Sequence, residues 1–134
     1  MRKQKFFSLV FSTVLILSVA VSASAQITNT WKGGTSGHET DWSYFKNWSL
    51  SKTPDVFDNV VIPNVSTSTR CYPIIATGEV EVLSLEIQTG ASLTLKKSAF
   101  VWTETFVCQG ICKGCSSRML IEGTDSQETA LSRY

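Results

Sequence analysis

Beyond residue 58 the chain alternates short apolar runs with polar punctuation, and from Val80 to Ile87 and from Ser92 to Leu95 apolar positions recur every second residue. Asn59-Val60-Val61-Ile62 reads as a strand stopped by Pro63, which has no amide to donate to a ladder. Val80 to Ile87 carries the strongest strand pattern, and it changes phase. Val80 and Val82 fall on one side, whereas Leu83, Leu85 and Ile87 fall on the other. Side chains of a flat strand alternate strictly, so a bend or bulge near Val82-Leu83 is needed to bury both sets. Thr89-Gly90-Ala91 is a turn. Ser92-Leu93-Thr94-Leu95, Phe100-Val101-Trp102, Phe106-Val107-Cys108 and Met119-Leu120-Ile121 are further short strands. Apolar residues recur at helical spacing nowhere after residue 25.

The runs are also spaced. Val60, Leu85 and Phe106 open comparable apolar triplets 25 and 21 residues apart, and Leu95 to Leu120 is again 25. Self-similar strands at such a period are what stacked coils produce. The expected fold is therefore all-β, a short right-handed parallel β-helix or β-solenoid. A small β-sandwich is the alternative.

Residues 26–58 are patterned differently. Trp31, Trp42 and Trp48, with Tyr44, Phe45 and Phe57, are set among Gly, Ser, Thr, Asn and Lys, which suits a looped segment pinned by aromatics. Each aromatic buries on the order of 150–250 Å², enough together to seed a core. Two roles follow. The first coil of a solenoid exposes an apolar end that something must cover, so the segment reads as a Trp-rich cap. Alternatively Trp31, Trp42 and Trp48 form a carbohydrate-binding platform, since flat rings suit the apolar faces of sugars.

The chain opens with Arg2, Lys3 and Lys5, an apolar stretch from Phe6 to Val21, and Ala23-Ser24-Ala25. That is the layout of a secretory signal peptide, cleaved between Ala25 and Gln26. The apolar stretch falls short of the roughly 20 residues that span a bilayer, and no later segment is apolar enough to do so. The expected organisation is 1–25 signal peptide, 26–58 cap, 59–122 solenoid coils and 123–134 polar, disordered tail. Removing three of the 12 basic residues while keeping all 11 acids leaves a formal charge of −2. Such a balance argues against nucleic acid as a partner, which needs a concentrated basic surface.

Cys108, Cys112 and Cys115 have the spacing of a three-thiolate cluster loop, and Cys112-Lys113-Gly114-Cys115 that of a redox pair, but neither has the surrounding pattern such chemistry requires. Zinc would need Cys71 or the single His38 as a distant fourth ligand. Four cysteines in an exported chain point instead to two disulfides drawn from Cys71, Cys108, Cys112 and Cys115, in any of three connectivities. Asp41, Asp55 and Asp58 lack the spacing of a calcium loop and read as turn residues. Asp58 with Glu79 or Glu81 is the one acid pair that a β-helical polysaccharide-cleaving enzyme could use. No nucleophile motif or phosphate loop appears, and no catalytic residue, metal or cofactor is assigned.

W-K-G-G (31–34), D-W (41–42), N-W-S (47–49), D-N-V-V-I-P (58–63), Y-P-I-I (72–75) and L-x-I-x-x-G-A-S-L-T-L (85–95) occur in that order. Over residues 31–95 this resembles the N-terminal region of secreted, adhesin-like surface proteins of the Bacteroidetes type. The resemblance implies a β-solenoid outside the cell with a structural or adhesive role rather than catalysis. Its partners would be extracellular polysaccharide or other surface proteins, and its open last coil would favour self-association. Members of that group are longer, so the chain reads as a truncated or frame-altered fragment of a longer gene.

Overall fold

The computed structural model describes residues 26–66 and 71–122. The expected signal peptide at 1–25 and the expected disordered tail at 123–134 therefore lie outside the described residues. Six strands form one sheet: β1 (Ile27–Thr30), β2 (Asp58–Ile62), β3 (Ile74–Ile87), β4 (Ser92–Cys108), β5 (Ile111–Lys113) and β6 (Met119–Ile121). The only helical element among the described residues is one 3-10 turn, Phe45–Asn47. β1 to β4 each pair parallel with the next strand, and β4 carries β5 on one stretch and β6 on another, both parallel. The sheet curls into a half-barrel. Parallel neighbours require crossovers rather than hairpins, so the hairpin-linked strands of a sandwich are not what these runs build.

The register turns sequence spacing into stacked rows. Asn29, Val60, Leu85 and Phe106 are successive partners on β1 to β4. A second row runs Ile62, Ile87, Cys108. A third runs Val80, Val101, Met119, and beside it lie Val82, Thr103, Ile121. The spacings of 25 and 21 were thus pairing distances. Leu95 and Leu120 are not partners, however: Leu95 pairs Ile75, and Leu120 pairs Trp102.

The change of phase in β3 is real and is shared by its neighbour. Val82, Leu85 and Ile87 are all buried, with Leu83 half-buried between them. β4 makes the same step, from buried Thr103 to half-buried Phe106, one winding on. Both strands bend there with their pairing offset unchanged. The register shift itself lies elsewhere, between Ile75 and Thr77. Thr103 brings a hydroxyl into the core and satisfies it locally, donating to the Thr105 carbonyl at 2.9 Å with that of Leu83 at 3.3 Å.

β1 was not expected, because Ile-Thr-Asn-Thr has a single apolar residue, and Ile27 is itself half exposed. It forms because Asn29 points into the core position of its row. Fully buried, Asn29 donates to the Lys52 carbonyl at 3.0 Å and accepts from the Leu50 amide at 3.3 Å. Ser49 completes the tie through the Thr30 carbonyl and amide, both at 2.9 Å. The segment around 49–52 therefore runs along the outer edge of β1. No helix among the described residues is long and apolar enough to cross a membrane.

Candidate functional site

The three tryptophans expected either to plug or to bind are brought together and enclosed. Trp31, Trp42 and Trp48 are 1%, 2% and 0% exposed. Trp48 sits at the centre, edge-on to Trp31 at 5.0 Å and to Trp42 at 4.7 Å between ring centroids. The Trp48 indole N–H donates to the Trp42 carbonyl at 2.8 Å, and that of Trp31 to the Cys71 carbonyl at 2.7 Å. The ring of Trp31 also lies against Gly33, whose φ of +60° and lack of a side chain permit that approach. Buried Asn47 staples the loop beneath them, donating to the His38 and Asp41 carbonyls at 2.6 and 2.9 Å and accepting from the Thr35 amide. Stacking on a sugar needs an open ring face, and none of these indoles has one.

The open aromatic surface is elsewhere. A groove of about 270 Å³ runs across the outside of the bend in β3 and β4, between the Val56-Phe57 turn and Glu122. Phe57 and Trp102 stand on it, 78% and 38% exposed, beside the carboxylates of Glu81, Glu104 and Glu122. Register explains the gathering. Glu81 is the partner of Trp102 on the next strand, and the Glu122 amide bonds the Thr103 carbonyl, so side chains far apart in sequence stack at one corner. Among the lining residues there is no basic side chain.

The remaining candidates are dispersed. Asp58 is buried, with one carboxylate oxygen accepting from Lys52 Nζ at 2.8 Å and from the Asp55 amide at 3.0 Å. Glu79 and Glu81 are exposed on β3, so the acid pair is split between a structural tie and open surface. Lys52 also bridges Asp55 at 2.8 Å. That hydrogen bond, then the one from the Phe57 amide, lowers the Asp55 carboxyl below its ordinary value, while Asp55 and Asp58 together raise Lys52. His38 stacks on Tyr44 at 3.9 Å and faces Asp41 at 3.3 Å, a half-exposed turn contact.

Of the two expected disulfides one is formed, Cys112–Cys115, tying β5 to the turn that follows it; Cys71 and Cys108 are free. The two cysteines are three residues apart, and Gly114, with φ of +81°, turns the chain between them. Among the described residues no cluster of three or more His, Cys, Asp or Glu could hold a metal.

No family model, curated protein or solved structure matches this chain. The groove, then, rests on geometry alone. By sequence alone Trp102 is only one member of the apolar triplet Phe100-Val101-Trp102. The signal that would have singled it out is alternation: Ala99, Val101 and Thr103 point inward, which leaves Phe100, Trp102 and Glu104 outward.

Proposed function

We propose that the chain is the opening section of a right-handed parallel β-solenoid that works outside the cell in a structural or adhesive role, without catalysis of its own. Residues 26–58 act as its cap and residues 59–122 as its coils. The observation that carries this reading is the row Asn29, Val60, Leu85, Phe106: four chain passes in parallel register, closed by a polar residue at the first pass and by tryptophans beside it. Right-handed winding follows from the strong preference of parallel crossovers for that hand. The resemblance to secreted adhesin-like proteins supports the location, as does the signal-like leader.

The last winding, beyond which no strand lies among the described residues, favours pairing with another chain. The test joins export to assembly. Protein recovered outside the cell should begin at Gln26 and sediment as more than a monomer, with labelling of intact cells before lysis. Material that retains Met1 and stays inside the cell, or a heat-stable monomer at all concentrations, overturns the proposal.

A further inference from the structure

The outer edge of β3 from Thr77 to Glu81, together with the groove it leads into, forms, we propose, a docking site for an extended segment of a partner protein bearing lysine or arginine side chains. β2 pairs with β3 only over Ser84–Ile87, and Asp41 bridges only Ile74. Between those points β3 is bonded to β4 on one side, and among the described residues no strand lies on the other. In a parallel ladder alternate N–H and C=O groups face each neighbour, so beyond Gly78, where a φ of +85° breaks the regular alternation, half of those in this run face away from β4. Ala76 to Glu79 are exposed. An edge of this kind is completed by an added strand, whose main chain supplies affinity and whose alternate side chains supply selectivity.

The chemistry of the partner comes from what stands beside the edge. Glu79 and Glu81 project from it, and the run ends at Glu81 and Val82 in the groove with Glu104, Glu122, Trp102 and Phe57. Three carboxylates beside exposed aromatic rings suit a cation on an aliphatic stem, held by charge and over the ring face. Lys96 and Lys97 stand at the far end of the run, next to Ser98, the partner of Thr77, and do not line the groove. A second copy of this chain is disfavoured, because two such edges would bring their own glutamates together. A polysaccharide has no peptide main chain with which to continue the ladder.

The inference deepens the adhesive reading and is separable from it. If the chain assembles through its last winding but ignores the probe, the docking site falls and the structural role stands. The probe is a capped octapeptide alternating valine with lysine, added to the full chain and read by calorimetry and amide hydrogen exchange. Expected are binding that weakens as salt rises and slowed exchange of the amides in 77–81. Affinity should drop about tenfold in the triple variant Glu81→Gln, Glu104→Gln, Glu122→Gln, at about half a kcal/mol for each exposed charge pair. A peptide N-methylated on alternate amides should not bind, a control that leaves the protein untouched. Equal binding of the glutamate analogue, or equal competition by a chitosan oligomer, overturns the proposal. So does protection of 77–81 in the unliganded chain, by its own residues if independent of concentration, by a second copy if not.

Discussion

The two ends of the sheet solve the same physical problem in opposite ways. Any stack of parallel strands has a first and a last edge, each with unpaired backbone and a cross-section of apolar core. At the first edge Asn29 occupies the core row and ties down 49–52, while Trp31, Trp42 and Trp48 fill the space beside it. At the last edge the equivalent positions are Phe106, Cys112 and Met119, all only half-buried, with Ile111 and Ile121 58% and 44% exposed. β5 and β6 have three residues each and pair only with β4 among the described residues. The contrast teaches that a row of good apolar partners does not finish a core. A polar side chain that can bond a returning loop does.

The largest effect should come from the closed end. Trp48→Ala removes the central ring of the cluster and opens a cavity between two others, at a cost of about 3–5 kcal/mol. For a small domain with roughly 5–15 kcal/mol in total, that approaches unfolding. Urea titration followed by near-ultraviolet circular dichroism should show the midpoint fall steeply. A loss below about 1 kcal/mol would mean that the cluster does not hold the first edge, and the comparison would break there.

A matched pair sharpens the contrast within one row. Leu85 and Phe106 are register partners, but Leu85 is 1% exposed and Phe106 half-buried. Leu85→Ala should cost about 2–5 kcal/mol. Phe106→Ala should cost less despite its larger side chain, because part of the ring already meets water. Equal costs, measured by the same urea midpoints, would mean that something covers the last winding in solution.

Much of this was legible because register in a parallel stack is written as spacing. Val60, Leu85 and Phe106 could be aligned from sequence since each opens an apolar run of the same parity. The break at Val82-Leu83 was legible for a similar reason: only a bend buries both sets. Leu95 and Leu120 misled because windings shorten along the chain, so that Val101 meets Met119 only 18 residues on. β1 was illegible, since its stabilising residue is an asparagine whose partners lie some 20 residues away. The cysteines show the same limit. Count and compartment suggested two bridges, but Cys71 and Cys108 are left free by a three-dimensional arrangement that no spacing encodes. Trp102 was hidden by company: beside Val101 it reads as core until the inward set of β4 is known.

The smallest effect concerns the tie that holds the 52–58 turn against β2. Lys52 Nζ reaches both Asp55 and buried Asp58 at 2.8 Å. The lowered carboxyl of Asp55 contributes stability that is present above its ordinary value of 3.8 and is lost as pH falls through the lower folded value. The raised amine of Lys52 contributes stability present below its ordinary 10.5 and lost as pH rises through the higher folded value. Between those limits the difference between the native chain and Lys52→Met should be flat with pH, and it should shrink on either side. Because Lys52 and the Asp55 side chain are 42% and 51% exposed, solvent screening keeps the increment below about 1 kcal/mol. Raising salt to 1 M separates the two partners. The exposed Asp55 arm should weaken, whereas the contact to Asp58, which is 1% exposed, should persist better, because ions screen a partly buried pair less. A difference that vanishes entirely in salt would place the whole tie at the surface, and the first edge would then owe its closure to Asn29 and the tryptophans alone.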